Sequence, residues 1–526
     1  MSKKGYCRAV GQAIHDPHDR PIVFEGVGIG AWLLIEGYMI ESRGPIDRPR
    51  RFEAHLQQRV GHAFTADFLR RWRQTFFTAE DVAYLAHMGF NMIRIALDYE
   101  VFFEPSERHT TLTLKEDNFA LLDAILDACE THEVYVILDL HAAPGGQTGA
   151  NIDNSQNDTP ALFMKTLYQD QTVFVWQTFA KRYALRSVVA AYDLLNEPLP
   201  EWFHQHNPQL MPFYERLIDA IRSIDPHHMI TLEGLHWSTD WSCFKTFKDD
   251  NLWLQFHKYW SAPDQESIAP FLHGRAHHNR PILMGEGGEN NLPWLSAAFK
   301  LYRQKNISTV FWTYKKMNAT NALKSFAKPP LWDAFLEGTL DKQRSVQVLE
   351  TLLENITYDN TTSLKETVNA LKNQNSFSVW AHSYDTLGPG VSFKVHTHHL
   401  ASYRTDDGVA IVNREGAVVT PNFWHQKGES VAEKDRLYVR LNAGEWVKYS
   451  FHTTKEVSRV LIEITTLHGG ALEVFVNDQP LPLRGLSVFV DQPQACNEVK
   501  LVAVSTTFIE SLRFTALDSH GHFVSR

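Results

Sequence analysis

Eight short apolar runs, separated by longer amphipathic segments, most constrain what this chain can fold into. The runs span residues 22–30, 91–97, 134–141, 189–197, 228–234, 252–259, 281–287 and 307–314. The segments between them include DNFALLDAILDACETH (117–132), whose apolar residues recur every three or four positions, as in a helix packed on one face. Such alternation indicates repeated strand-helix units around a parallel sheet. Because eight units close such a sheet, we predict an α/β fold of the (β/α)8 barrel type.

The pattern changes after about residue 372. Short β-rich runs such as RLYVRL, WVKYSF and EVKLVAV are separated there by Gly, Asn, Asp and Pro, which is typical of an antiparallel sandwich. With 526 residues, 44% of them hydrophobic, the chain is long enough to bury two cores. We therefore predict a barrel in residues 1–372 and a C-terminal all-β sandwich domain in residues 373–526.

Charge and composition exclude several classes of partner. The 51 Lys and Arg residues against 61 Asp and Glu residues leave a net charge of −10, which disfavours nucleic acid because its binding depends on phosphate neutralisation. The four cysteines lie far apart and match neither a zinc site nor a disulfide framework. No segment has the length of a membrane span, and the basic N-terminus has no apolar core behind it. We therefore expect a cytoplasmic protein with no membrane partner; the sequence contains no signal for its oligomeric state.

Two glutamates close apolar runs in this chain. Glu197 lies in LNEP and Glu286 in LMGEGG, and parallel strands of a closed barrel end at one face, where both carboxyl groups should meet. Two buried carboxylates without nearby lysines would cost several kcal/mol if they had no function. The pair predicts glycosidic-bond cleavage, in which one carboxyl protonates the leaving oxygen and the other attacks the anomeric carbon or activates water. This chemistry needs no metal and no cofactor.

Six further residues stand at predicted strand ends and should converge on the same pocket. They are Arg94, His141, Asn196, His257, Tyr259 and Trp312. Taken singly, Arg94, His141, His257 and Trp312 would more often be buried structural residues, and Tyr259 could be either. Their order along residues 20–335, together with the two glutamates, resembles glycoside hydrolase family 5. Enzymes of its clan carry the acid/base after the fourth barrel strand and the nucleophile after the seventh.

The resemblance implies a role for each of these positions. Glu197 would be the acid/base and Glu286 the nucleophile of a retaining double displacement. The other implied roles are the sugar 2-hydroxyl contact for Asn196, a hydrogen bond to the nucleophile for Tyr259, orientation of the acid/base for His257, support of the nucleophile for Arg94, a sugar contact for His141 and the floor of the −1 subsite for Trp312.

Two segments bear on the substrate. GVGIGAWLLIEGYM (26–39) and DLHAAPGGQTGANIDNS (139–155) resemble the exo-β-1,3-glucanase branch of the family, which implies that Glu36 and Asp153 close the pocket and bind the terminal sugar. Glu36 could instead pair with nearby arginines, and Asp153 could instead form a turn. Ala31 replaces a glycine of that branch, and Gly287 stands where it has an aromatic residue, so the preferred sugar stays open among β-glucosides, β-mannosides and disaccharide glycosides.

We therefore predict a retaining, exo-acting β-glycosidase of the β-glucosidase or exo-β-1,3-glucanase type, acting on oligosaccharides or small β-glycosides. An endo-β-glucanase, a β-mannosidase or endo-mannanase, and an inactive sugar-binding barrel are the alternatives. The C-terminal segments GEWVKYSF (444–451) and FIESLRFTAL (508–517) weakly resemble carbohydrate-binding modules of families 6 and 35. Trp424, Trp446 and Tyr449 are candidate sugar contacts there, although we favour a role for them in the sandwich core.

Overall fold

The computed structural model describes residues 5–42, 44–468 and 470–524, and the chain forms two compact units. The first unit comprises Met1–Lys258, Phe271–Gly287 and Ile307–Ser363. The second comprises Tyr259–Pro270, Gly288–Asn306 and Leu364–Arg526. Its main segment thus begins before the predicted boundary at 372/373. Within this unit Ser296 Oγ donates to the carbonyl oxygen of Ala370 at 3.2 Å, which ties residues 365–372 to the helix of residues 292–304.

The first unit is a closed barrel of eight parallel strands in sequential order, which confirms the predicted fold. A small antiparallel sheet precedes it, formed by β1 (Arg8–Val10), β2 (Ala13–His15) and β3 (Pro21–Ile22). The barrel strands are β4 (Glu25–Leu33), β5 (Met92–Asp98), β6 (Tyr135–Ala142), β7 (Val189–Asp193), β8 (Met229–Glu233), β9 (Leu252–His257), β10 (Ile282–Gly288) and β11 (Ser308–Trp312). Each predicted run overlaps one strand, because strands buried on both faces read as continuous apolar sequence.

Helices alternate with the barrel strands and continue beyond them. They are α1 (Pro49–Val60), α2 (His62–Phe76), α3 (Ala79–His87), α4 (Tyr99–Phe102), α5 (Glu116–Thr131), α6 (Thr166–Tyr183), α7 (Leu210–Arg222), α8 (Leu235–Ser238), α9 (Gln265–His278), α10 (Leu292–Gln304), α11 (Trp332–Leu336), α12 (Lys342–Asn355) and α13 (Lys365–Lys372). Local sequence sets their ends: Thr78 and Asp81 form a reciprocal capping box at the start of α3. Among the described residues, no helix combines the length and apolar content needed to cross a bilayer.

An apolar cluster fills the end of the barrel at which the strands begin. Met92, Trp253 and Val310 contribute from the first three positions of their strands, Ile14 joins them from β2, and Cys7 joins them from the position before β1. All five side chains are at most 3% exposed. With this end filled by packed side chains, the opposite end of the barrel is the one available for polar chemistry.

Short elements complete the first unit. Strands β12 (Lys315–Met317), β13 (Lys324–Phe326) and β14 (Thr362–Ser363) form a small sheet after the barrel. Single 3₁₀ turns or longer 3₁₀ helices occur in both units, at Gly37–Ile40, Ala161–Phe163, Glu201–Gln209, Ala381–Ser383, Thr405–Asp407 and Glu433–Asp435.

The second unit contains the predicted antiparallel sheets. The strands are β15 (Phe377–Trp380), β16 (Phe393–Lys394), β17 (Ala410–Val412), β18 (Tyr438–Leu441), β19 (Trp446–His452), β20 (Arg459–Thr466), β21 (Leu472–Val476), β22 (Gln479–Leu481), β23 (Ser487–Asp491), β24 (Cys496–Ala503) and β25 (Thr507–Leu517). One sheet has the order β17-β18-β25-β20-β23, with β15 also paired to β25, and the other has the order β16-β19-β24-β21-β22. Buried and partly exposed residues alternate along β19 and β24, as expected for strands with one face turned from the core.

The three aromatic candidates of this unit differ in their environments. Tyr449 is buried and donates from its hydroxyl to the carbonyl oxygen of Ala381 at 2.6 Å, so the core assignment is confirmed for it. Trp446 is half-buried on the outer side of β19. Trp424 is 57% exposed, with its ring centroid 4.1 Å from that of Trp260 in the same unit, so a core role for it is wrong.

Candidate active site

Strand register gathers polar side chains at the barrel face where the strands end. Glu286 of β10 lies opposite His257 of β9, and Glu233 of β8 lies opposite Gln255 of β9. Glu197 follows β7 and has a φ of 44°, a left-handed conformation that non-glycine residues rarely adopt. The β10–β9 ladder shifts register between Met284 and Glu286, directly before the position of Glu286.

The two predicted catalytic glutamates face each other across a short gap. One carboxylate oxygen of Glu197, one of Glu286 and a ring nitrogen of His257 lie within 4.8 Å of one another, and all three residues are buried. Retaining glycosidases hold their two carboxyl groups about 5–5.5 Å apart, whereas inverting enzymes leave about 6.5–9.5 Å for a water molecule. The spacing here therefore matches a direct nucleophilic attack.

Glu197 has the environment of a proton donor. Burial raises the pKa of its carboxyl group, and the negative charges of Glu286 and Glu233 act in the same direction. His257 opposes this shift, because its Nδ1 lies 2.6 Å from Glu197 Oε1. The net effect is a raised pKa, which favours a protonated Glu197 at the start of a reaction cycle.

Glu286 has the opposite environment. The Arg94 guanidinium is fully buried, and its Nη1 donates to Glu286 Oε1 at 2.5 Å. Charge-assisted hydrogen bonds of this kind stabilise the carboxylate form. Arg94 Nη2 also donates to Asn196 Oδ1 at 2.9 Å, which fixes the amide directly before the acid/base. The predicted contacts of Arg94 with Glu286 and of His257 with Glu197 are both present.

Three further carboxylates surround Arg94, and the sequence interpretation missed all of them. Arg94 Nε donates to Asp193 Oδ2 at 2.9 Å, and Nη2 donates to Glu233 Oε1 at 2.9 Å and lies 3.1 Å from Asp139 Oδ1. Burial opposes ionisation of Glu233, but His257 and Arg94 lower its pKa to about 2. Burial raises the pKa of Asp193 well above its usual range. Each residue is an acid within or at the end of an apolar run, a signal that the sequence did contain.

Trp312 forms one wall of this region. Its ring stacks on His141 with centroids 5.4 Å apart and planes 5° apart, and its Nε1 donates to the Tyr38 hydroxyl at 2.8 Å. Gly28 and Gly30 leave room for the ring, since an ideal Cβ at these positions would lie 2.4 Å and 2.9 Å from its nearest atoms. The position of the tryptophan ring is thus fixed by the glycines of β4, by the stacked His141 ring and by the hydrogen bond to Tyr38.

The other predicted residues, Glu36, Asp153 and Tyr259, lie in three different environments. Glu36 is 2% exposed. Burial acts to lower the pKa of His141, but the charges of Asp139 and Glu286, with a smaller contribution from Glu36, raise it to about 9.

Asp153 is fully buried but serves its own loop. Its Oδ2 accepts from the backbone nitrogen and hydroxyl of Thr148 at 2.7 Å and 2.8 Å, and its Oδ1 accepts from the nitrogen of Ser155 at 2.9 Å. These contacts fit the turn-forming alternative for Asp153. Tyr259 belongs to the second compact unit, and its hydrogen bond to the nucleophile stays a prediction.

The sequence of this chain is similar to a family model and to several known proteins. A family model described as cellulase, glycosyl hydrolase family 5, matches residues 53–318, which is 266 of the 526 residues. A β-xylosidase of Phanerodontia chrysosporium is 27% identical over 294 residues, covering 56% of this chain and 59% of that protein. A probable glucan 1,3-β-glucosidase A of Emericella nidulans is 28% identical over 277 residues, covering 50% of this chain and 66% of that protein.

The matches span less than two thirds of the length of these two relatives. Among solved structures, the rutinosidase from Aspergillus niger is similar with a TM-score of 0.44 and 18% identity, covering 57% of this chain and 92% of that one.

Proposed function

The chain belongs to glycosyl hydrolase family 5, and we propose that it is a retaining, exo-acting β-glycosidase that removes terminal β-linked sugars from oligosaccharides or small glycosides. The observation that carries the proposal is the pair of buried carboxyl groups within 4.8 Å, one beside a guanidinium and one with a raised pKa. Opposite environments assign opposite roles to chemically identical side chains.

The proposed reaction proceeds in two displacements. In the first, the Glu286 carboxylate attacks the anomeric carbon while Glu197 transfers its proton to the glycosidic oxygen, and the aglycone leaves as an alcohol. In the second, Glu197, now ionised, takes a proton from a water molecule that attacks the same carbon, and the bond to Glu286 breaks. Two inversions at one carbon give net retention.

The proposed sugar contacts extend from this pair. The part of the Trp312 ring face that His141 leaves uncovered would carry the C–H surface of a pyranose, and Asn196 and His141 would supply polar groups beside it. Glu36 supports the exo mode, because a buried carboxylate whose charge reaches His141 can bind hydroxyl groups of a terminal sugar. The two relatives named above are described as a β-xylosidase and a probable glucan 1,3-β-glucosidase, both names that refer to glycosidases.

An endo-acting glucanase or mannanase of the same family is the second candidate. The family model that matches this chain is described as a cellulase, which favours keeping this alternative. Products distinguish the two modes: an exo enzyme releases one monosaccharide per event from laminari- or cello-oligosaccharides, whereas an endo enzyme yields intermediate lengths from the first minutes.

Glu286→Ala and Glu197→Ala, assayed with an aryl β-glucoside and sodium azide, test the assignment of the two carboxyl groups. Azide should enter the space left in Glu286→Ala and give an α-glycosyl azide. In Glu197→Ala it should attack the glycosyl-enzyme and give a β-glycosyl azide, because the nucleophile is intact. NMR spectroscopy of the products identifies the anomer.

Each variant serves as the matched control for the other, since both lose one buried carboxylate. Wild-type turnover with retention at the anomeric carbon is the expected baseline. Turnover of Glu286→Ala without azide at the wild-type rate, or inversion by the wild type, would refute the assigned roles.

A further inference from the structure

We propose that Glu233 is a positioning residue for catalysis, whose side chain fixes the peptide that carries the acid/base and the two cationic side chains that contact the catalytic carboxylates. The inference rests on the proposed function, since it names how that site is held. Glu233 ends β8 and is fully buried, and its side chain contacts β5, β9 and the segment after β7.

One oxygen of Glu233 holds the backbone of the acid/base. Glu233 Oε2 accepts a hydrogen bond from the backbone nitrogen of Glu197 at 2.8 Å. Glu197 has a φ of 44°, and this strained conformation of a non-glycine residue persists only where its surroundings hold it. No strand pairing holds Glu197, because β7 ends at Asp193. The hydrogen bond from the Glu197 backbone nitrogen to Glu233 therefore helps to determine where the proton-donating side chain begins.

The other oxygen contacts the groups that reach the reacting carboxylates. Glu233 Oε1 accepts from Arg94 Nη2 at 2.9 Å, and Arg94 in turn donates to the nucleophile Glu286. The same oxygen lies 3.4 Å from His257 Nε2, while the opposite ring nitrogen of His257 lies 2.6 Å from Glu197. A single carboxylate is thus connected to the nucleophile through an arginine and to the acid/base through a histidine.

The strand end that carries Glu233 is itself fixed. Gln255 Nε2 donates to Glu233 Oε1 from the adjacent strand, and the Tyr214 hydroxyl donates to the Glu233 carbonyl oxygen at 3.0 Å. Neither contact involves a residue proposed to touch the sugar. Glu233 is therefore supported from β9 and α7 independently of substrate.

The negative charge of Glu233 also affects the pKa values of the neighbouring groups in the site. The titratable and charged groups facing it are Arg94, Asp193, Glu197, Tyr214 and His257, with Asp139 and Glu286 beyond Arg94. Removal of an anion lowers the pKa of each neighbouring acid, including protonated Glu197 and the His257 imidazolium. The coupled acid group then loses its proton at lower pH, so the basic limb of the rate profile should move to lower pH.

Glu233→Gln keeps the shape of the side chain and removes its charge. We expect kcat to fall about 10²-fold, as for a displacement of about 1 Å at the reacting groups, with KM within about threefold of wild type. The basic limb of kcat/KM should move down by about one pH unit. Glu233→Asp keeps the charge but shortens the reach, so it should lose kcat while its basic limb stays near that of wild type.

Asp225→Asn is the matched control. Asp225 is equally buried, precedes the same strand instead of ending it, and pairs with His228 and the Tyr192 hydroxyl away from the site. The Asp225→Asn substitution should lower the free energy of unfolding and leave the basic limb of the kcat/KM profile at the same pH as in wild type. Equal losses of kcat in Glu233→Gln and Asp225→Asn, or an unmoved basic limb in Glu233→Gln, would overturn the inference.

A second readout separates this inference from the proposed function. If the wild type cleaves no β-glycoside, the proposed function fails, and the titration of His257 followed by NMR in wild type, Glu233→Gln and Asp225→Asn still tests the contact. We expect a lower His257 pKa only in Glu233→Gln, because Glu233 is the foremost of the charges that raise the pKa of His257 against burial. An unchanged His257 pKa in Glu233→Gln, or a fall of equal size in both variants, would overturn the inference.

Discussion

A single methyl group added at Gly28 should displace the tryptophan wall of the site. Gly28 lies on β4, and an ideal Cβ there would be 2.4 Å from Trp312 Cε3 and 2.9 Å from Cζ3. Ordinary contact begins at 3.4 Å, so the nearest ring atom must recede by about 1 Å. The ring cannot recede freely, because His141 stacks on its face and Tyr38 accepts its N–H.

The expected loss follows from this displacement. A misplacement of about 1 Å near the reacting centre costs roughly 10²-fold in rate, which corresponds to about 2.7 kcal/mol of transition-state stabilisation. Overpacking of a buried site should also lower the free energy of unfolding by about 1–3 kcal/mol. We therefore expect Gly28→Ala to fold less stably and to lose about 10²-fold in kcat/KM on an aryl β-glycoside.

Gly26→Ala is the control, because Gly26 precedes Gly28 by two residues in β4 and a Cβ added there would point to the same face of the strand. Its Cβ would meet Thr309 and Met92 at 3.1 Å and 3.2 Å and does not reach Trp312. Both variants should lose stability in urea unfolding, but only Gly28→Ala should lose activity at a temperature where both are folded. A kcat/KM for Gly28→Ala within about threefold of Gly26→Ala would refute this reasoning.

Two further perturbations test the electrostatics of each unit. Arg94→Met leaves several buried carboxylates without their cation, so it should lower the free energy of unfolding of the barrel, measured by urea titration, by about 3–5 kcal/mol. The control Arg182→Met breaks a partly exposed ion pair and should cost less than about 1 kcal/mol in the same titration. In the second unit, burial and the charge of Arg404 lower the pKa of His382 to about 3. The pKa of His382 in the unfolded chain is higher, about 6.5. Its contribution to the free energy of unfolding is therefore fully present above pH 6.5 and falls by about 1.4 kcal/mol per pH unit between pH 6 and pH 4, where only the unfolded chain takes up the proton. His382→Gln should flatten that dependence; equal slopes in wild type and variant would contradict it.

The barrel could be predicted from sequence because its strands are buried on both faces. Every residue of β5 is buried, so the strand reads as one apolar run interrupted by Arg94. The compact units were harder to predict, because α10 lies between two barrel strands in the chain yet belongs to the second unit. Its contact with α13 depends on tertiary packing, which hydrophobic periodicity does not encode.

The active site could be predicted only in part, for a similar reason. Glu197, Glu286 and His257 end apolar runs, and the predicted strand order was enough to bring them together. Glu233 also ends an apolar run, but its role depends on a hydrogen bond that its carboxylate accepts from the backbone nitrogen of Glu197, a residue in the left-handed conformation. Neither φ values nor register shifts can be read from one sequence, so the three carboxylates around Arg94, those of Asp139, Asp193 and Glu233, were missed.

The roles of the two catalytic glutamates depend on which one the arginine reaches. Arg94 donates directly to Glu286, whereas Glu197 contacts His257, whose own charge depends on Glu233. A guanidinium keeps its proton throughout the cycle, so the nucleophile always has a fixed cation beside it. An imidazole can exchange a proton with its partner, which suits a carboxyl group that must be protonated in one step and ionised in the next. The asymmetry between Glu197 and Glu286 is therefore a property of the side chains behind them.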